Sequence, residues 1–556
     1  MTKKMLAELF VRAIDPQFGE DNIYRNPAQI TISLGPVMIA TVVQERVAGV
    51  EAEVVSENNF RPFLRKAPLD GRGMPDHLAL QKERPAEFIF ISASISNAVP
   101  RALELIGIYR NMPEELRPKW IVVGGWHAGD SPKEFLLAGA DIVVHGEGEP
   151  VVKSIIDALK GDLPLEKVPG ISYWSADGQI KRNPVFDKRY EGEEGFIIVP
   201  PEEMDLLPYP NFGLVRWAKI EIIPISRTRG CGGKCRFCRV KGEARVISPK
   251  RLAEQIESLC SQGYRRFFLV DDRSEEDMEG FIAWLQEIVK LRRERKIRWI
   301  YITVQSRLSA ANDEELLRLM HEAGIQTVAI GVESVIPEEL RAMKKPMSQD
   351  LNEIVRLIKV WKKHGFFTHA MLIFGYPMPS KSNPFRMDIK ERVARFWYFI
   401  KEANPDTLQV LALTPILGTE DWRDLESQNR IFRDLGWQNW DGLHVVFRPD
   451  EPLTAPQVQR AIIYLQDRFY SFLWLNIHGI ASVALRACYI GLLALAMPFV
   501  WALLMPFKGL VPKLAFRPWH RVWRNTIRRL GAQLIVLRVK EKLIPFLQKL
   551  EEREER

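Results

Sequence analysis

A chain of 556 residues, 46% hydrophobic and 27% charged, is long enough to bury several cores and too apolar to stay disordered. Of its five cysteines only Cys231, Cys235 and Cys238 lie together, which excludes a disulfide framework and suits a reducing cytosol. The net charge of +8 is local: eleven Lys and Arg and no Asp or Glu lie between Arg468 and Lys540, leaving the remainder at −3. That basic stretch surrounds an uncharged run rather than a nucleic-acid module, so no nucleic-acid partner is expected. The opening "MTKKMLAELFVRAIDP" has its apolar run broken by Glu8 and Arg12 and makes a poor signal peptide.

From the N-terminus, short apolar strands alternate with helical stretches: "LAELFVRA" near residue 8, "AEVVSE" at 52–57, "AEFIFIS" at 86–92, "KWIVVGG" at 119–125 and "DIVVHGEGE" at 141–149. The pattern predicts a doubly wound parallel sheet over 1–162. Such sheets bind ligands beyond the carboxyl ends of their strands, so Ser92, Ser94, Gly124, Gly125, His127, Gly146, Glu147 and Gly148 would line one crevice. Small residues there admit a bulky ligand to the backbone; the alternative is that the glycines only make tight turns.

Residues 163–218 read as a proline-rich linker. A second alternating run follows over 219–420, with strands expected at 219–226, 265–270, 297–304, 326–331, 369–375 and 407–413. Helices fit between them: "SPKRLAEQIESLC" has a Ser cap with Pro next, and "NDEELLRLMHEAG" an Asn cap and a terminal Gly. Six β/α units predict a partial parallel barrel, with chemistry at the carboxyl ends of its strands. Residues 421–474 extend it.

The cysteine loop "RGCGGKCRFC" follows the first strand of this set. Its C-x3-C-x2-C spacing lets one loop direct three thiolates at one inorganic centre. A structural zinc would close with a fourth Cys or His, and none lies nearby in sequence. An iron-sulfur cluster with one iron left free fits better. Three unligated thiols beside Arg229, Lys234, Arg236 and Arg239 would be readily oxidised.

With Phe237 before its last cysteine, this loop resembles that of the radical S-adenosylmethionine (SAM) superfamily. The upstream "GGWHA" and "HGEGE" make the chain resemble the cobalamin-binding subgroup, among them hopanoid methylases and anaerobic Mg-protoporphyrin cyclases. "LVDDR" (269–273), "QSR" (305–307), "GVES" (331–334), "FGYP" (374–377) and "TPILGT" (414–419) extend the match in order, over roughly residues 5–470. The resemblance implies a [4Fe-4S] cluster on Cys231, Cys235 and Cys238 that cleaves SAM to a 5′-deoxyadenosyl radical, fed by a flavodoxin- or ferredoxin-type donor. It implies SAM contacts from Phe237, Asp271, Asp272, Gln305, Arg307, Glu333, Ser334 and Gly375. Arg307 suits a carboxylate, and Glu333 ribose hydroxyls or the amine; the alternative for each charge is a salt bridge on the barrel rim.

Cobalamin would occupy the first crevice. The D-x-H-x-x-G signature of a cobalt-ligating His is absent, because "DPQFGEDNIYRNPAQITIS" contains no His. His127 then reads as touching the cofactor's edge or tail, or as a packing residue. His145, His321, His364 and His369 read as structural histidines.

Beyond 475 the chain turns apolar and basic. "ACYIGLLALAMPFVWALLMPF" (487–507) has no charge but is divided by Pro498, and "WHRVWRNTIRRLGAQLIVLR" (519–538) has the spacing of an amphipathic helix. In-plane or re-entrant helices on the cytoplasmic membrane face are expected; the alternative is that they cover the barrel as ordinary core. The expected function is methylation of an unactivated carbon in a hydrophobic lipid or isoprenoid substrate, with methylcobalamin as the methyl carrier. Tetrapyrrole cyclisation, carbon–carbon bond formation in membrane lipids, and cobalamin or lipid binding without turnover are the alternatives.

Overall fold

The computed structural model describes residues 9–19, 30–60, 67–184, 203–345, 350–380, 385–471, 531–533, 536–537 and 539–555. Two large sheets, with helices packed on them, organise the chain.

The first sheet has seven strands in the order β2-β1-β3-β4-β5-β6-β7. Five are parallel: β1 Leu9–Asp15, β2 Val50–Ser56, β3 Phe88–Ser92, β4 Trp120–Gly124 and β5 Ile142–Val144. Runs such as "IVV" are apolar without alternation because helices cover both faces. On one face the helix Val99–Arg110 sets Ala102, Leu105 and Ile106 against Ile89, Ile91 and Ile121. On the other, the helices Leu34–Arg46 and Val152–Lys160 pack on Val54, Phe90 and Val122. The stretch expected as linker adds an antiparallel hairpin to this sheet, β6 Ile171–Trp174 and β7 Ile180–Arg182. Ile171, Ser172 and Tyr173 on β6 are all buried, so the strand is covered on both faces where it joins the edge.

The second sheet is a six-stranded parallel partial barrel, ordered β15-β14-β13-β12-β11-β8. Its strands are β8 Ile223–Ile225, β11 Arg266–Leu269, β12 Tyr301–Ser306, β13 Ile325–Glu333, β14 Phe367–Ile373 and β15 Thr407–Leu411. A two-stranded ribbon, β9 Thr228–Arg229 with β10 Arg245–Val246, stands just beyond β8. Helix starts differ in detail from the sequence pattern. Asp313, not Asn312, caps Glu314–Ala323 by accepting from the Leu316 N–H at 2.8 Å, and Ser248 makes no side-chain cap to Pro249–Ser261. Gly324 closes Glu314–Ala323 at φ +105°, a left-handed backbone that suits Gly.

The helices Ile389–Ala403 and Ala455–Phe469 pack on each other, and the second also packs on β15. The final helix, 539–555, docks through buried Leu543, Phe546 and Leu550. Residues 487–507 and most of the amphipathic stretch lie outside the described residues; among the described residues no helix is long and apolar enough to cross a membrane.

Candidate functional site at the junction of the two sheets

The cysteine loop is an excursion from β9 to β10, whose pairing of Arg229 with Arg245 clamps its stem. Gly230 leaves the stem at φ +100°, and a Cβ there would lie 2.7 Å from the Glu243 carbonyl, so both conformation and space demand Gly. Asp271, at the end of β11, fixes the same stem: one carboxylate oxygen accepts from the backbone N–H groups of Arg227 (2.7 Å) and Thr228 (3.0 Å). Burial nevertheless pushes its carboxyl up to about 6.

Cys231, Cys235 and Cys238 are all half-buried and free of disulfides. Burial raises the Cys235 thiol, against the pull of Lys345, and pushes Cys238 up to about 11. The loop alone therefore favours neutral thiols, and a coordinating metal reverses that preference. Among the described residues no three Cys, His, Asp or Glu side chains converge as a single ion would require. Three thiols from one loop are a donor set that an iron-sulfur cluster with one free iron could use.

The remaining barrel residues divide into two groups. Asp272 faces the shared cavity described below, its carboxyl raised by burial, and Arg307 is exposed at the end of β12. Glu333 sits at φ +61° and pairs with Lys345 at 2.8 Å. These three can meet a polar cosubstrate. The others serve the frame. The Gln305 side chain donates to the Asp271 carbonyl at 3.1 Å; Ser334 is fully buried, bonded to Glu339, and accepts from the Ile336 N–H at 3.1 Å. Gly375 backs onto Val458, 3.1 Å from where its Cβ would be, and Phe237 packs against the barrel core.

Beyond the carboxyl ends of the first sheet lies a cavity of about 440 Å³, and its far wall is the cysteine-loop stem. Ser92, Ser94, Gly124, Gly125, Gly146, Glu147 and Gly148 all line it, as expected, and so do Thr228, Arg229, Gly230, Lys241 and Asp272 from the second sheet. A Cβ on Gly124 would meet only Val144, at 3.7 Å, so this Gly holds space open. Gly125 differs: at φ +110°, with a Cβ position 2.6 Å from Ser94, it makes a packed turn. Glu147 is already engaged, with Arg229 at 3.1 Å and with Arg245.

His127 follows the packing alternative rather than the cofactor-edge one, and the other four histidines are structural as read from the sequence. His127 does not line the cavity; it is buried, bonded to Ser96 at 2.8 Å and seated edge-on against Trp437 at 4.6 Å. His145 does line it, yet both ring nitrogens are occupied, by the Gly129 carbonyl (2.9 Å) and the Ser172 hydroxyl (2.8 Å). Burial, then the charge of Arg182, pushes it down to about 4, so it is neutral at pH 7. His364 bonds the Val360 carbonyl, His369 bonds Thr407 and His321 sits edge-on to Phe366, three structural roles.

Sequence reasoning missed what joins the sheets. Arg229 reaches Glu149 (2.7 Å) as well as Glu147, and Arg239 forms a two-point pair with Asp130 (2.8 and 3.0 Å). Arg239 also lies over the ring of Trp126, a large cavity-lining side chain that is 45% exposed. On the other flank Arg236 pairs with Glu420, Asp421 and Asp424 (3.0, 3.0 and 3.2 Å) in the helix Glu420–Ser427. Arg182, from the hairpin taken as linker, stands at the cavity wall. Such pairs are far apart in sequence, and no local pattern announces them.

Residues 225–382 match the family model described as the Radical SAM superfamily. The cytidylyl-2-hydroxyethylphosphonate methyltransferase of Streptomyces wedmorensis is 26% identical over 439 residues, 72% of this chain and 79% of its own. The hopanoid C-3 methylase of Methylococcus capsulatus is 24% identical over 457 residues, 78% of each chain. Among solved structures, the cobalamin-dependent SAM radical enzyme OxsB with aqua-cobalamin bound superimposes with a TM-score of 0.58 at 14% identity, covering 99% of this chain and 81% of that one. At that identity the likeness establishes a shared two-sheet fold. The cysteine loop and most of the barrel thus fall within the residues that match the radical SAM superfamily model, and this part of the chain is similar to that superfamily.

Proposed function

We propose that this chain is a cobalamin-dependent radical SAM C-methyltransferase that acts on a hydrophobic substrate. One observation carries the reading: the crevice of the first sheet and the cysteine-loop stem of the second line a single cavity. When bound, a [4Fe-4S] cluster with SAM supplies a radical able to take hydrogen from an unactivated carbon, and cobalamin supplies a methyl carrier.

The residues divide the work. Cys231, Cys235 and Cys238 would hold the cluster. Arg307 would take the carboxylate of SAM, while Glu333, oriented by Lys345, would take its amine or ribose hydroxyls. Ser92, Ser94, Gly124 and Gly146 would border the corrin, with Gly124 leaving room for its plane. His145 has no free nitrogen to offer cobalt, which fits a cofactor held without a His ligand. Leu34, Met38, Ile39, Phe90 and Val122 make much of the wall apolar, which supports exclusion of water and a hydrophobic ligand. A low-potential flavodoxin or ferredoxin would deliver the electron.

The test is anaerobic purification, reconstitution with iron, sulfide and hydroxocobalamin, and reaction with methyl-deuterated SAM and lipid extracts. About four irons and one cobalt per chain, formation of 5′-deoxyadenosine and a product carrying the labelled methyl are expected. Iron without cobalt, or a product that has lost hydrogen and gained no label, would reject methyl transfer in favour of cyclisation or coupling.

A further inference from the structure

Far from the cavity, a shallow groove runs between the helices Ile389–Ala403 and Ala455–Phe469, lined by Lys390, Trp397, Tyr398, Lys401, Tyr464 and Arg468. Tyr398 and Tyr464 are each 47% exposed, unusual for large rings on helices that otherwise bury their apolar faces. Lys390 and Lys401 stand three turns apart on one side of their helix, roughly 16 Å. Neither forms an ion pair among the described residues. Arg468 lies 4.0 Å over the Trp397 ring and donates to the Tyr464 hydroxyl at 2.7 Å. Nearby acids are spent elsewhere or lie off the groove: Glu391 pairs with Arg395, Asp467 with Lys540, and Glu402 is not in the lining. Aromatic rings interleaved with cations at exposed positions match a lipid headgroup layer, where ring bodies sink and charges meet phosphate.

We infer that this groove is the face by which the protein lies on an anionic lipid bilayer. The chain's own course favours that occupant over others. Residue 471 follows the helix Ala455–Phe469 directly, and the pairs Lys540–Asp467 and Arg460–Glu551 set the final helix antiparallel to it. The chain therefore leaves and returns beside the groove. Between those points, residues 472–530 carry eight Lys and Arg, no Asp or Glu, and the uncharged run 487–507. That composition cannot neutralise Lys390 and Lys401, and a second copy presenting the same face would repel them. Anionic lipid neutralises both the groove and the segment.

The surface is separate from the chemistry. The Tyr470 hydroxyl bonds the N–H and carbonyl of Leu408, both at 2.8 Å, which puts the exit point at the amino-terminal ends of the barrel strands. The cysteine loop follows the opposite ends. Lipid binding and cluster chemistry can thus be broken one at a time.

The experiment is co-sedimentation of the reconstituted full chain with vesicles of phosphatidylcholine alone or mixed with phosphatidylglycerol, at low and high salt. Binding only to the anionic vesicles, weakened by salt, is expected. Lys390→Glu with Lys401→Glu should lower it about tenfold or more, with thermal midpoint and 5′-deoxyadenosine formation kept within about twofold of wild type. The milder Lys390→Gln with Lys401→Gln should fall between. Undiminished binding by the Glu pair, equal binding to neutral vesicles, or no binding by wild type would each overturn the assignment. So would a concentration-dependent dimer that the Glu pair dissolves, which would give the groove to a second copy. Failure of the methyl-transfer reading while vesicle binding behaves as stated leaves this surface supported.

Discussion

The two sheets present their carboxyl ends to the same cavity but equip them oppositely. The first offers small residues and apolar walls: Gly124 holds space, Ser92 and Ser94 are slender, and Phe90 and Val122 are dry. The second lines it with charge, from Arg229, Lys241 and Asp272, and carries the three cysteines, Arg307 and the Glu333–Lys345 pair outside that lining. In the proposed function one sheet would receive a large ligand by leaving room, and the other would hold reactive groups by supplying donors. The Arg229, Arg239 and Arg245 pairs to Glu147, Glu149 and Asp130 turn two half-sites into one.

The sharpest break in that comparison is to empty the donor side. Replacing Cys231, Cys235 and Cys238 with Ala should reduce 5′-deoxyadenosine below detection while hydroxocobalamin binding, followed by its visible spectrum, is retained. Persistent cleavage of SAM by the triple variant would sink the cluster assignment. Filling the other side is the reciprocal change. Gly124→Leu should weaken hydroxocobalamin binding by about tenfold to a hundredfold, the equivalent of an overpacking cost of about 1 to 3 kcal/mol, and leave uncoupled 5′-deoxyadenosine formation intact. Unaltered cobalamin binding would show that Gly124 does not border the ligand.

Cutting the seam tests whether the halves depend on each other. Arg229 and Glu147 keep 21% of their side-chain surface exposed, so Arg229→Ala should cost about 2 to 3 kcal/mol, less than a fully buried pair. Denaturant unfolding should then resolve two transitions; one unchanged transition would mean the pairs add no coupling.

Smallest are two pH effects of opposite sign, one in each sheet. His145 is pushed down to about 4 from 6.5, so the unfolded chain binds its proton where the folded chain does not. Its contribution is lost as pH falls from about 6.5 to about 4, and His145→Asn should flatten that loss of thermal midpoint. Glu275 is pushed up to about 7 from 4.5 by burial, against its bond to Ser306. Here the folded chain keeps the proton, so the contribution is present below about 4.5 and lost as pH rises to about 7; Glu275→Gln should remove that slope. The same pH profile in the variants as in wild type would refute either assignment.

Much of the fold was legible because its strands are continuous apolar runs and its turns carry Gly at fixed places. All six barrel strands lie within a few residues of their expected positions. The β6–β7 hairpin escaped because "ISYW" and "IKR" are short and flanked by Pro and Gly, and only an available sheet edge makes them strands. Within the candidate site, the cavity-lining set was legible because strand ends converge in any doubly wound sheet. Roles were not: Asp271 and Asp272 are adjacent in "LVDDR", yet one ties down the backbone of the loop stem and the other faces the cavity.

The sequence by itself determined the chemistry that can be done here. Thiol spacing, strand-end glycines and hydrophobic periodicity are local properties, set by residues within a few positions of one another, and they are enough to specify two parallel sheets and a cysteine loop. Only the tertiary structure decided that His127 is a packing residue and His145 a neutral wall. It also decided that Glu147 is a brace and that the two crevices are one cavity. Those outcomes depend on partners on other elements of the chain, such as Ser96 and Trp437 for His127, Ser172 for His145, and Arg229 and Arg245 for Glu147, and such contacts leave no periodicity to read.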